Sequence, residues 1–261
     1  MNRRNFARSA LIAGAALPLK SSLMAQTRGS KQQWYEFRTY HFADDIQRQL
    51  TSAYLEQALI PALNRAGCTT IGVFFESQPE GIPHSYLLIP FDSIDAFTTI
   101  NDKLARDSAY AKAGQSYLDA PATAPAYQRI ESSLFKAFAH MPTIEVPEKK
   151  TRIFELRRYE SPTESAGQKK IEMFNDAGEI DIFKKVGARP VFFGEALIGP
   201  NRPNLTYMLC FDDMAGHDTH WKAFGTDPEW KKISGQPEYS DARLISKITR
   251  TFLEPAPYSQ V

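Results

Sequence analysis

The sequence predicts an α+β fold made of two tandem copies of one domain. Three observations predict it. The chain repeats itself with a period of about 120 residues, each period reads strand, helix, strand, strand, helix, strand, and a proline-containing, charge-ended segment separates the two periods.

The opening strand of each copy is the clearest match. Tyr35-Glu36-Phe37-Arg38-Thr39-Tyr40 returns as Phe154-Glu155-Leu156-Arg157-Arg158-Tyr159, an aromatic-Glu-apolar-Arg-x-Tyr pattern within strands expected near 33–40 and 151–159. Helical stretches follow near 44–66 and 168–186. Ile60 to Gly67 is echoed by Ile180 to Gly187, and the two glycines stand where a helix ends in the left-handed conformation. Val73-Phe74-Phe75 matches Val191-Phe192-Phe193, and Ser85-Tyr86-Leu87-Leu88 matches Thr206-Tyr207-Met208-Leu209. Between these strand pairs lie turns dense in Pro, Gly and Asn, at 78–83 and 199–204. Asp107-Ser108-Ala109-Tyr110 aligns with Asp227-Pro228-Glu229-Trp230; each Asp is placed to cap a short helix, and Pro228 suits a first helical position. Closing strands are expected near 127–138 and 243–253. This order is the ferredoxin-like split βαβ arrangement.

The domain plan is therefore a leader at 1–25, a short linker at 26–32, a first repeat at 33–138, a linker at 139–150 and a second repeat at 151–255. The leader has adjacent Arg3 and Arg4, Phe6 two places on, an Ala- and Gly-rich apolar stretch from Ser9 to Leu19, and Ala25 at a small-residue cleavage point. It predicts a twin-arginine signal peptide and a periplasmic or secreted mature protein. The apolar stretch is too short to span a bilayer, so stable membrane insertion is not expected.

The 31 basic and 30 acidic residues nearly cancel, and dispersed basic residues exclude a nucleic-acid partner. Cys68 and Cys210 are read as two buried thiols, with a disulfide between the halves as the alternative. There is no phosphate-cradling glycine loop, no Gly-x-Ser-x-Gly elbow and no Cys-x-x-Cys, and no cofactor is expected. His217-x-x-His220 has the spacing of two rings on one helix face. Without further ligands it is read as a solvated or capping pair, and no metal is expected.

Alternation along the opening strands supplies the candidate site. Tyr35, Phe37 and Thr39 share one face, which can pack under helices; Glu36, Arg38 and Tyr40 share the other. Glu155, Arg157 and Tyr159 repeat that polar face. Charged residues at such spacing pair with each other, and either fix sheet packing or face a ligand. His41, at the end of its strand where the second copy has Glu160, and His84, just after a turn, are candidates for proton transfer or ordinary loop residues.

The paired Glu-x-Arg-x-Tyr strands, the glycine after the first helix and Asp227-Pro228-Glu229-Trp230 resemble the NIPSNAP family over residues 33 to 255. The second copy matches better, since the first has Ser108 and Tyr110 where the second has Pro228 and Trp230. The resemblance implies an intrachain version of the dimeric α/β-barrel, with two ferredoxin-like sheets face to face. It would put Glu36, Arg38, Tyr40, Glu155, Arg157 and Tyr159 in the interior. Relatives of that architecture include cofactor-free monooxygenases, haem-degrading enzymes and isomerases, so the fold does not fix a function. Two classes of function stay open: a protein that binds a small organic ligand between the repeats or serves as an interaction module, and a cofactor-free monooxygenase- or isomerase-like enzyme. A homo-oligomer is compatible with either.

Overall fold

The computed structural model describes residues 31–261; the expected leader lies outside the described residues. The first repeat runs β1 (Trp34–His41), α1 (Asp45–Tyr54), a π-helical turn (Leu55–Leu59), α2 (Ile60–Arg65), β2 (Gly72–Glu76), β3 (Ser85–Phe91), α3 (Ile94–Ala105), α4 (Ser108–Ala113), α5 (Gln115–Leu118) and β4 (Arg129–Ala137). The second runs β5 (Ile153–Glu160), α6 (Glu164–Asn175), α7 (Glu179–Lys185), β6 (Arg189–Ile198), β7 (Asn204–Phe211), α8 (Met214–Thr226), α9 (Pro228–Ser234), a 3-10 turn (Pro237–Tyr239), α10 (Asp241–Leu244) and β8 (Lys247–Pro255). The helix expected over 168–186 starts earlier, because Thr163 caps it, and breaks before Gly178, whose φ of 93° opens α7.

Local signals set these elements. Asp107 accepts from the Tyr110 N–H, and Asp227 from those of Glu229 and Trp230, with Pro228 at the helix start. Gly67 and Gly187 have φ of 96° and 82°, the left-handed value that ends a helix and that a side chain resists.

The strands close into one antiparallel barrel in the order β1-β3-β2-β8-β5-β7-β6-β4. Each repeat contributes a sheet of ferredoxin-like order, and the seams are β2 with β8 and β4 with β6. This is an α+β fold in which two repeats build a dimeric α/β-barrel within one chain. Every neighbouring pair is antiparallel, so β1 and β5, four steps apart either way round, run in the same direction. The pseudo-two-fold axis therefore lies along the barrel, and equivalent residues of the repeats meet at the same end.

Helices cover the outside of both sheets, so strand residues are buried on both faces. One layer gathers Tyr40, Leu59, Leu63, Leu87 and Ile89; the other gathers Tyr159, Phe174, Phe183, Phe193 and Tyr207. A third cluster fills the lumen itself. Tyr35 meets Phe192 at 5.4 Å and Phe74 meets Phe154 at 4.9 Å between ring centroids, and Leu253 and Val261 complete the packing. Cys68 and Cys210 are both buried and free, and burial pushes the Cys210 thiol up to about 11.

Candidate functional site

The aromatic packing fills one end of the lumen and leaves the other as a cavity of about 270 Å³, at the C-terminal ends of β1 and β5. Its apolar wall includes Phe37, Tyr86, Phe135 and Leu156; its polar groups are Thr39, His41, Glu76, His84, Glu131, Ser133, Arg158, Asn204, Thr206, Thr249 and Thr251. A surface depression of about 320 Å³ beside residues 145–148 has no histidine in its lining.

The structure inverts the face expected for the paired polar strands. Glu36, Arg38, Tyr40, Glu155, Arg157 and Tyr159 lie on the outside of the barrel beneath the helices, and the lumen takes Tyr35, Phe37, Thr39 and His41 from β1, with Phe154, Leu156 and Arg158 from β5. The physical reason is that neighbours on the strands, and in the second repeat a helix indole, supply the partners that a buried charge requires. The Arg38 guanidinium donates twice to Glu36, at 2.7 and 2.9 Å, and Ser132 donates to the same carboxylate at 2.9 Å. Glu155 is fully buried and accepts from Arg157 at 2.8 Å and from the Trp221 indole of α8 at 2.7 Å. Arg157 lies 4.5 Å from the Trp221 ring centroid, and the Tyr159 and Tyr207 hydroxyls share a hydrogen bond at 2.9 Å. The Glu–Arg pairs are thus tied to each other and to Ser132 and Trp221, while Arg157 Nε finds no partner among the described residues.

His217 and His220 also belong to the helix layer. His217 sits between Glu155, 3.3 Å away, and Asp218, while His220 donates to the Val186 carbonyl at the end of α7. Among the described residues no group of three or more His, Cys, Asp or Glu is placed to hold a metal ion.

His41 and His84 both line the lumen, brought together because the β1–β3 pairing ends at Tyr40↔Ser85. Their ring centroids are 4.4 Å apart in an edge-to-face arrangement. His84 Nδ1 is 2.9 Å from Glu76 Oε1, and the Tyr86 hydroxyl donates to the same oxygen at 2.8 Å. Burial alone would raise the Glu76 carboxyl, but the hydrogen bonds from His84 and Tyr86 outweigh it and hold Glu76 below the ordinary carboxylate range. Because an ionised carboxylate only accepts, Nδ1 donates to Glu76, which leaves Nε2 for a ligand in a ring that lines the cavity. His41 is held below the ordinary imidazole value by burial first and by His84 second, so it is neutral near pH 7. Its Nε2 is buried, 3.5 Å from Glu131, and makes no hydrogen bond among the described residues.

The second repeat supplies a different wall. Arg158 donates from Nε to Glu160 at 3.1 Å and from Nη2 to Thr249 at 3.4 Å, with Asn204, Thr206 and Thr251 beside it on the lumen wall. Glu76, Tyr86, Glu131 and Arg158 were not singled out in the sequence. The signal for Arg158 was present in the alternation of β5, but it required assigning the aromatic face to the lumen.

An eight-stranded barrel of two ferredoxin-like repeats, with an aromatic-packed base and a polar mouth, defines the class of protein. Residues 154–260 match the NIPSNAP family model, so the second repeat carries a NIPSNAP domain. Solved structures share the whole barrel. A candidate monooxygenase from Fusobacterium nucleatum superposes with a TM-score of 0.57 at 10% identity, over 86% of this chain and 92% of its own. One from Lactobacillus acidophilus gives 0.56 at 9%, over 86% and 94%. An anthrone oxidase-like protein gives 0.53 at 9%, over 87% and 93%. At such identities the likeness establishes the fold alone. No curated protein matches the chain significantly.

Proposed function

We propose that this chain binds a small organic molecule in the mouth of the barrel and takes a proton from it. His84 is the base, Glu76 the carboxylate that orients it, and His41 a neutral imidazole at its side. The observation that carries this reading is the Glu76–His84–His41 row on the wall of a cavity that also has Phe37, Phe135 and Leu156 in its lining. About 150 Å³ suffices for benzene in a protein interior. The cavity's 270 Å³ therefore suits one substituted ring or a compact enolisable carbonyl compound. Some structural neighbours are described as candidate monooxygenases or as anthrone oxidase-like. Removal of a proton is the opening step of cofactor-free oxidation, in which the conjugate base then gives its electrons to O2.

Solvent deuterium exchange into the α-carbon of enolisable ketones tests the reading. The full chain accelerates exchange into the compounds it binds, and His84→Gln lowers that acceleration by about 10²–10⁴-fold. Equal exchange by the variant would overturn it. Binding without any exchange supports the second reading, a ligand carrier, which the apolar wall of Phe37, Phe135 and Leu156 favours.

We further propose that both repeats are NIPSNAP domains and that the protein is exported by the twin-arginine route to the periplasm or beyond. Adjacent Arg3 and Arg4 support the route. Changing both to lysine is expected to retain the protein in the cytoplasm on cell fractionation.

A further inference from the structure

The lumen is two-fold in backbone and one-sided in chemistry. Strand register aligns the repeats residue by residue, because Arg38↔Leu87 in the first corresponds to Arg157↔Tyr207 in the second. Thr39 is then the counterpart of Arg158, His41 of Glu160, His84 of Asn204 and Tyr86 of Thr206. Every imidazole in the cavity comes from the first repeat, and the second contributes the guanidinium of Arg158.

Arg158 is paired with Glu160 on one side and left open on the other. Its side chain is 31% exposed, its bond to Thr249 is long, and its Nη1 makes no hydrogen bond among the described residues. Its field reaches the opposite wall: burial and Glu76 raise the Tyr86 hydroxyl, and Arg158 pulls it the other way. The cavity already contains the carboxylates of Glu76 and Glu131. A ligand that arrives as an anion adds to that charge, whereas a neutral acid does not, and its negative charge then develops in front of a preorganised cation.

Resting on the proton-transfer reading above, we propose that Arg158 holds the oxygen of the conjugate base, so that the lumen selects neutral phenols and enolisable carbonyl compounds over carboxylates. For a phenol, the O–H bond breaks, its electron pair stays on oxygen beside Arg158, and the proton forms an N–H bond at His84 Nε2. No electron is gained or lost in this step.

Three probes of one shape test it on the full chain: 4-nitrophenol, whose ionisation is visible by absorbance, 4-nitroanisole, which has no proton to lose, and 4-nitrobenzoate. Bound 4-nitrophenol is expected to ionise about one pH unit below the free compound. Arg158→Gln removes that shift, and retained binding of 4-nitroanisole by the variant reports that the cavity is intact. Glu160→Gln, which releases Arg158 from its partner, enlarges the shift. An unchanged shift in Arg158→Gln overturns the proposal while leaving the base assignment, tested separately by His84→Gln, in place. Tighter binding of 4-nitrobenzoate than of 4-nitroanisole, lost in Arg158→Gln, overturns the selectivity by showing a carboxylate site.

Discussion

The two repeats keep their chemistry on the outside of the barrel and part company on the inside. Beneath the helices, Glu36, Arg38 and Tyr40 of β1 stand where Glu155, Arg157 and Tyr159 stand on β5, and in each repeat the Arg is bonded to the Glu. On the lumen side, the positions of His41, His84 and Tyr86 correspond to those of Glu160, Asn204 and Thr206. A charge buried under helices must stay paired in either copy, so both copies hold the same groups. A cavity wall is under no such requirement, and there the copies are free to carry different functional groups.

The comparison predicts that the outer row acts through stability. Glu155→Ala removes a fully buried carboxylate and leaves Arg157 without its partner, with a cost of about 3–5 kcal/mol in urea unfolding. Glu36→Ala costs less, because Glu36 is not as completely enclosed as Glu155 and no indole N–H loses its acceptor there. Equal losses at the two sites, or a small loss at Glu155, would break the assignment of this row to structure.

A subtler difference lies at the glycines that end the first helical segment of each repeat. A Cβ on Gly67 meets nothing within 4 Å, whereas one on Gly187 comes within 2.8 Å of His220, which holds the Val186 carbonyl. Both substitutions to Ala carry the left-handed penalty of about 1–2 kcal/mol. Gly187→Ala also displaces His220 and loses its hydrogen bond, about 1 kcal/mol more. Thermal denaturation of the pair measures the gap, and Gly187→Ala in a His220→Ala background should close most of it.

Much of this architecture was legible in the sequence. The repeat, the helix-ending glycines and the Asp caps are local signals, each read from a few neighbouring residues. The face of the opening strands was not legible, since a strand covered by helices on one side and closed into a barrel on the other is buried on both, and alternation says only that two faces differ. The partners that decide the matter, Trp221 and Ser132, are 66 and 96 residues away in sequence. Matching Tyr86 to Tyr207 had the same weakness. Register pairs Tyr207 with Arg157 and Leu87 with Arg38, so the sequence match is out by one residue, and Tyr86 faces the lumen while Tyr207 packs under the helices. His41 and His84 were picked out singly; the turn that brings them together is what gives them a shared site.

The smallest expected effect tests whether that shared site has consequences for the free protein. His41 is depressed below the ordinary value of 6.5, by burial and by the neighbouring His84. The native state therefore binds fewer protons at this position than the unfolded chain does as the pH falls. The contribution is fully present above the unfolded value and is lost as the pH drops from there through the folded one. His41→Gln should flatten the stability profile between about pH 7 and pH 5 while leaving it unchanged at higher pH. The second repeat has no imidazole at the matching position, so Glu160→Gln should leave that window as steep as in the wild type. A His41→Gln profile as steep as the wild type would mean that the ring is solvated in solution, and would remove the close imidazole pair on which the proton-transfer site depends.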